Sequence, residues 1–147
     1  MLDLQPLTPA QIPLLQDFLH RFPRQSCDYS VCNLLTCGKI YRNQYAVWRG
    51  HLILVNPKYG YIFYPVGPGL PASELHELLR QYQALEPEAE LILIPEDWQQ
   101  RQPDLAEFFS VCEERDWADY VYSVNDMVRL SGKKLAKKKN LVSQFVR

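Results

Sequence analysis

Three β-rich runs set between helical stretches constrain this chain more than any other feature. Gln44–Arg49 and His51–Val55 meet at Gly50, and Tyr61–Val66 follows after the cluster Asn56-Pro-Lys-Tyr-Gly60. Runs rich in Val, Ile, Tyr and Trp, separated by glycine and turn residues, read as a hairpin plus a third strand. The three together predict an antiparallel meander. Pro65 cannot donate to a ladder, so it belongs at the end of its strand or on an edge.

Helical spacing surrounds this meander. Thr8 is placed to cap a helix with Pro9 at its first position, and Ile12, Leu15, Phe18 and Leu19 recur until Pro23. Ser26, Asp28 or Ser30 caps a second, short helix that Gly38 is placed to close. Beyond the loop Gly67–Ser73, a helix over Glu74–Ala84 carries Leu75, Leu78, Leu79 and Tyr82 on one stripe. Glu90–Pro95 is a continuous apolar run, the pattern of a strand covered on both faces. Leu105, Phe108, Phe109 and Cys112 predict another short helix, and Trp117–Tyr122 a fifth strand.

The 147 residues suit one domain with a true core. The net charge of −1 conceals a polarity: Arg129–Arg147 is +7 with no acid, leaving −8 on residues 1–128. Such a split favours an anionic partner for the tail or a contact between tail and body. From about Lys133 the tail fits an amphipathic helix. Leu135, Leu141, Val142, Phe145 and Val146 gather on one arc, and Lys133 and Lys137 face away from it. Lys134 and Lys138 fall within or beside the arc, where only their stems can be buried. The domain reading is therefore residues 1–131 followed by a basic connector helix over 132–147. No apolar run approaches the ~20 residues of a membrane-spanning helix. The N-terminus lacks the basic and apolar regions of a secretory signal, so a cytoplasmic protein is expected.

Little else carries chemistry. Cys27, Cys32 and Cys37 are spaced by five, unlike zinc or redox motifs, so with Cys112 they are expected as buried or half-buried reduced thiols. Gly67-Pro68-Gly69 lies where a phosphate loop would sit, but Pro68 and Pro71 remove amides from it; a plain turn is expected. His20, His51 and His76 lack a local partner motif, and surface roles are expected of His51 and His76. Glu96-Asp97 fits either a strand-end site or a helix N-terminus. Lys133, Lys134, Lys137, Lys138 and Lys139 remain, either as phosphate contacts or as a solvated face. No base-reading motif accompanies them.

Three stretches carry a resemblance. They are Ser26-Cys-Asp-Tyr-Ser-Val-Cys-Asn33-Leu34, Tyr61-Ile-Phe-Tyr-Pro-Val-Gly67, and Asp119-Tyr-Val-Tyr122 with Asp126 and Leu130-Ser-Gly-Lys-Lys-Leu-Ala-Lys-Lys-Lys-Asn140. The last resembles a Leu-x-Gly-Lys-Lys-x-x-x-Lys-Arg-Asn motif. Together they resemble a bacterial domain family related to the C-terminal catalytic domain of phosphatidylglycerol lysyltransferase. Cys37 stands where that family expects an aromatic residue, and Lys139 where Arg is common.

The resemblance implies two tandem acetyltransferase-like (GNAT-like) halves, with this chain matching the N-terminal one and ending where the second would begin. It implies an α/β fold: a mixed, mostly antiparallel sheet of about five strands flanked by helices, then the basic amphipathic helix. It implies transfer of an acyl or aminoacyl group, with acyl-CoA or aminoacyl-tRNA as donor and no competence in this half alone. Lys133, Lys134, Lys137, Lys138, Lys139 and Asn140 would hold the anionic donor. Leu135, Leu141, Val142 and Phe145 would dock the second half or a second copy. Two alternatives stay open: a non-catalytic interaction module docking through that helix, and a nonspecific RNA or tRNA binder.

Overall fold

A computed structural model describes residues 2–115, 118, 119 and 121–145. They fall into two compact units, divided between Glu113 and Glu114. The first unit holds an open five-stranded sheet in the order β1 (Gln5–Pro6), β2 (Gln44–Trp48), β3 (His51–Asn56), β4 (Tyr61–Phe63) and β5 (Glu90–Ile92). The first four are antiparallel neighbours, and β5 joins β4 in parallel. The crossover between β4 and β5 contains α4 (Ala72–Gln83). The mixed, mostly antiparallel α/β architecture expected from the sequence is therefore present.

The meander forms as its residues dictate. Trp48 pairs with His51 across a two-residue turn. Arg49 and Gly50 there have φ of 47° and 75°, the left-handed pair that matches hairpin twist. Arg49 tolerates that backbone because its guanidinium is held on three sides. It reaches both carboxylate oxygens of Glu77 at 2.9 Å, Glu74 at 3.3 Å, and the Trp48 ring at 4.4 Å.

Strand β3 is buried along its whole length, and its alternation builds two cores. Ile53 and Val55 pack with Ile62, Leu75, Leu78 and Tyr82 on the α4 side. Leu52 and Leu54 pack on the other face with Leu15 and Phe18 of α1 (Ile12–Arg21), Leu34 of α2 (Val31–Thr36), and Tyr29 and Phe63. Helices thus cover both faces of one sheet.

Several expectations change. The strand missed by periodicity is β1, too short to show any, with Pro6 on the sheet edge. Gly38 does not close α2 but opens α3 (Gly38–Tyr41), and Arg42, at φ 59°, makes the left-handed cap. Gly38 leaves room for Asn43, whose side chain lies 3.4 Å from where a Cβ would stand. Asn43 donates to the Leu34 carbonyl at the end of α2. The apolar run from Glu90 forms a strand only to Ile92, because Leu93 turns to φ 60°. It lies last in the sheet and is half-buried, not covered on both faces. Trp117 and Tyr120 of the expected strand over 117–122 lie outside the described residues; Ala118, Asp119, Val121 and Tyr122 form no strand.

Tyr82 shows how the α4 core is tuned. Its ring is fully buried and its hydroxyl has no hydrogen-bond partner in the protein. Burial, with a smaller push from Glu86, raises its pKa to about 12. Burial also raises Tyr64 to about 12, and raises Tyr29 further. Each phenol is more easily ionised in the unfolded chain, so this stability is complete below pH about 10 and falls as pH climbs toward 12. Tyr82→Phe removes the stranded hydroxyl. It is expected to leave stability unchanged or raise it by about 1 kcal/mol, and to flatten the alkaline fall, as urea melts between neutral pH and the alkaline limb will read.

Candidate functional site

Two of the three resembling stretches meet behind β4. Ser26 caps the 3-10 turn Cys27–Tyr29, and Ser30 caps α2 by accepting from the Asn33 amide at 3.1 Å. The Asn33 side-chain amide donates to Asp28 at 3.3 Å, and the Cys37 thiol donates to the Asn33 side-chain oxygen Oδ1 at 3.1 Å. This network aims Tyr29 inward, where its hydroxyl donates to the Tyr64 carbonyl at 2.8 Å. Arg24 donates to the next carbonyl, that of Pro65, and its guanidinium lies 5.1 Å from the Tyr64 ring. Gly67 ends the stretch because a Cβ there would lie 2.4 Å from the His51 ring. That buried ring has its nitrogens 2.9 Å from the carbonyls of Arg49 and Pro68.

Apart from the buried Arg24 Nε, which has no partner, these groups spend their hydrogen bonds on backbone and on one another, so they brace the turn after β4. Sequence spacing gave His51 a surface role, and the structure buries it instead. Arg24 carried no signal at all, because its partner is a carbonyl distant in sequence. Glu96 and Asp97 occupy the first turn of α5 (Glu96–Gln100), with Asp97 paired to Arg101 at 2.9 Å. They complement the helix dipole there. Cys27, Cys32 and Cys112 are exposed rather than buried, and Cys37 is half-buried. Cys32 is exposed on α2, whose buried residue is Leu34. Among the described residues, no group of three His, Cys, Asp or Glu side chains is placed to hold a metal.

The third stretch lies in the second unit. Ser123 caps α7 (Val124–Arg129) by accepting from the Asp126 amide at 3.0 Å. Leu130 then turns to φ 46° and Gly132 to φ 88°, two left-handed residues that end α7 and redirect the chain. Lys133, Lys134 and Leu135 form the turn that leads into α8 (Ala136–Phe145). The helix therefore starts slightly later than the expected Lys133. Lys137, Lys138, Lys139 and Asn140 occupy its first residues, and all five lysines are exposed. The Lys138 ammonium lies 4.7 Å from the Tyr122 ring centroid, over its aromatic face. No acid lies in the first turn of α8.

The expected docking residues separate. Leu135 is buried, while Leu141, Val142 and Phe145 are 65%, 52% and 93% exposed. Val146 and Arg147 lie outside the described residues.

The family described as "Phosphatidylglycerol lysyltransferase, C-terminal" matches residues 19–147. The chain belongs to this family. The match takes in the Ser26–Leu34, Tyr61–Gly67 and Leu130–Asn140 stretches of this lysyltransferase-family domain, as the resemblance implied. A crystal structure of a conserved protein of unknown function from Bacteroides thetaiotaomicron VPI-5482 is similar, with a TM-score of 0.70 and 24% identity. The match covers 99% of this chain and 50% of that one, so the chain spans half the length of the solved protein. That likeness concerns the fold alone. No curated protein matches the chain. Among the described residues, no helix is long and apolar enough to cross a membrane.

Proposed function

We propose that this lysyltransferase-family domain is the N-terminal, GNAT-like half of a tandem acyl- or aminoacyl-transferase. Its task is to hold the anionic part of the donor, an acyl-CoA or an aminoacyl-tRNA, on Lys133, Lys134, Lys137, Lys138, Lys139 and Asn140. One observation carries this reading. Five lysines crowd the turn before α8 and its first residues, with no acid among them. That is the positive end of the helix dipole, where each cation costs roughly 0.3–1 kcal/mol rather than stabilising. A cluster kept merely for solvation would gain more from the other end. An anion bound there satisfies both the lysines and the free amides of the helix start.

In the transfer itself an acceptor amine or hydroxyl adds to the donor carbonyl. The C–S or C–O bond to the carrier then breaks, and the carrier leaves as a thiol or hydroxyl with the acceptor's proton. This half binds the carrier and does not perform that step alone. Titration of the chain with acyl-CoA and with tRNA at low salt tests the assignment. Binding of either, weakened by added salt, is expected; binding of neither overturns it.

A second reading is favoured by the exposure of Leu141, Val142 and Phe145 on α8. These residues dock the second half or a second copy of this chain. Leu141→Asp with Phe145→Asp is expected to abolish any dimer seen by light scattering while leaving anion binding intact.

A further inference from the structure

Three tyrosines gather at the β3–β4 end of the sheet, in the first unit and on residues other than the lysine cluster. Register brings them together. Gln44 pairs with Val55 and Tyr61 with Asn56, so the chain entering β2 runs beside the turn leaving β3. Tyr41, Tyr59 and Tyr61 come from those segments. Tyr59 stacks on Tyr61 with centroids 6.0 Å apart and planes at 29°, and meets Tyr41 at 5.6 Å. The Lys58 ammonium lies 5.1 Å from the Tyr59 ring and 5.6 Å from the Tyr41 ring. Tyr59 is 52% exposed, and the neighbouring Ile40 is 64% exposed.

Core packing accounts for Tyr61, which lies against the core, but not for Tyr59. A half-exposed ring forgoes much of the burial that makes tyrosine worth placing. A surface serving only solubility would not spend three rings on one spot. The chemistry is that of a flat ring joined to an anion. The exposed part of Tyr59 offers stacking to an aromatic plane, and Lys58 is a cation lying over the Tyr59 and Tyr41 rings. Arg42, exposed, follows Tyr41 in the chain and is a second cation available near this end of the sheet. Glu90 pairs with Tyr61 on the neighbouring strand, so one exposed carboxylate also borders the cluster.

We propose that Tyr41, Tyr59 and Tyr61 form a stacking platform for a nucleobase whose phosphate is held by Lys58 and Arg42. The base is carried either by a free nucleotide or by single-stranded RNA. The platform does not depend on the lysines of α8, and either assignment stands or falls without the other.

The test uses the whole chain with two probes, AMP and a short fluorescein-labelled oligoadenylate. Wild type is expected to bind the oligoadenylate at low salt. Tyr59→Ala should weaken that binding at least about fivefold, and Tyr59→Phe should hold it within about twofold, because stacking needs the ring and not the hydroxyl. Lys58→Ala should reduce the log–log salt slope by about one. Tyr59 lies on an exposed turn, so unchanged thermal melts will show that its variants stay folded. Competition by AMP identifies a free nucleotide as the ligand, and binding of oligoadenylate without AMP competition identifies an RNA strand. The proposal is overturned if neither probe binds wild type. It is also overturned if Tyr59→Ala binds like wild type, or if Tyr59→Phe falls as far as Tyr59→Ala. Loss of binding in Lys137→Glu with Lys138→Glu but not in Tyr59→Ala would remove the platform and leave the α8 assignment standing.

Discussion

Replacing Lys137 and Lys138 together by Glu is expected to weaken tRNA or acyl-CoA binding about 100-fold at low salt, and to lower the salt slope for tRNA by about two. Stability should move the other way or not at all. Each Glu at the start of α8 gains roughly 0.3–1 kcal/mol from the helix dipole. Against this, Lys138 gives up its place 4.7 Å from the Tyr122 ring, an exposed contact worth about 0.5–1 kcal/mol. The first term, counted for two residues, matches or exceeds the second, so the thermal midpoint should hold steady or rise while binding collapses. A solvated lysine face predicts otherwise: the melt improves, but no ligand affinity exists to be lost. Anisotropy titration beside a thermal melt on the same variant separates the two.

The largest stability effect is expected at Gly67. A methyl group there would lie 2.4 Å from Cδ2 and 2.9 Å from Cγ of His51, and 3.1 Å from its Cα. The ring cannot simply swing aside, because its nitrogens lie 2.9 Å from the carbonyls of Arg49 and Pro68 and an N–H donates to one of them. Gly67→Ala therefore forces either the hairpin end or the turn after β4 to move, and is expected to cost about 2–4 kcal/mol. His51→Ala frees the space but removes the ring's hydrogen bond to one of those carbonyls. The double variant should cost less than the sum of the single ones by at least about 1 kcal/mol, since the clash requires both residues. Urea melts of the four proteins close the cycle. Strict additivity would mean that Gly67 is needed for some reason other than the His51 ring.

Much of the fold was legible where one local rule decided the outcome. The hairpin followed from Gly50 between two β-rich runs, and α4 from Leu75, Leu78 and Tyr82 at helical spacing. Thr8 caps the N-terminal turn and Gln11 reaches back to its amide, with Pro9 at the first position as expected. The rest depended on tertiary contacts that no short window contains. Gly38 resembled a helix terminator, but its small size serves Asn43, which satisfies the end of α2 from outside that helix. The run from Glu90 to Pro95 carried the composition of a buried strand, yet sheet order leaves it at an edge and Leu93 breaks it.

The candidate site was legible in kind more than in detail. The lysine motif announced itself by charge and spacing. Its placement at the wrong end of a helix dipole needed Leu130 and Gly132 in left-handed conformations, which the letters alone do not specify. Leu135 belonged to the apolar arc on the helical wheel, but it precedes α8 and is buried, so it does not share the exposed face of Leu141, Val142 and Phe145. The bracing by Arg24, Tyr29 and His51 was hidden because each acts on a backbone carbonyl rather than on another side chain.

The most direct test of the central claim is the salt dependence of tRNA binding by the unaltered chain. If the lysines at the start of α8 hold phosphates, log K plotted against log salt should fall with a slope of about −3 to −5, close to one counterion per lysine. A slope within about one unit of zero, or no binding at low salt, would contradict the account.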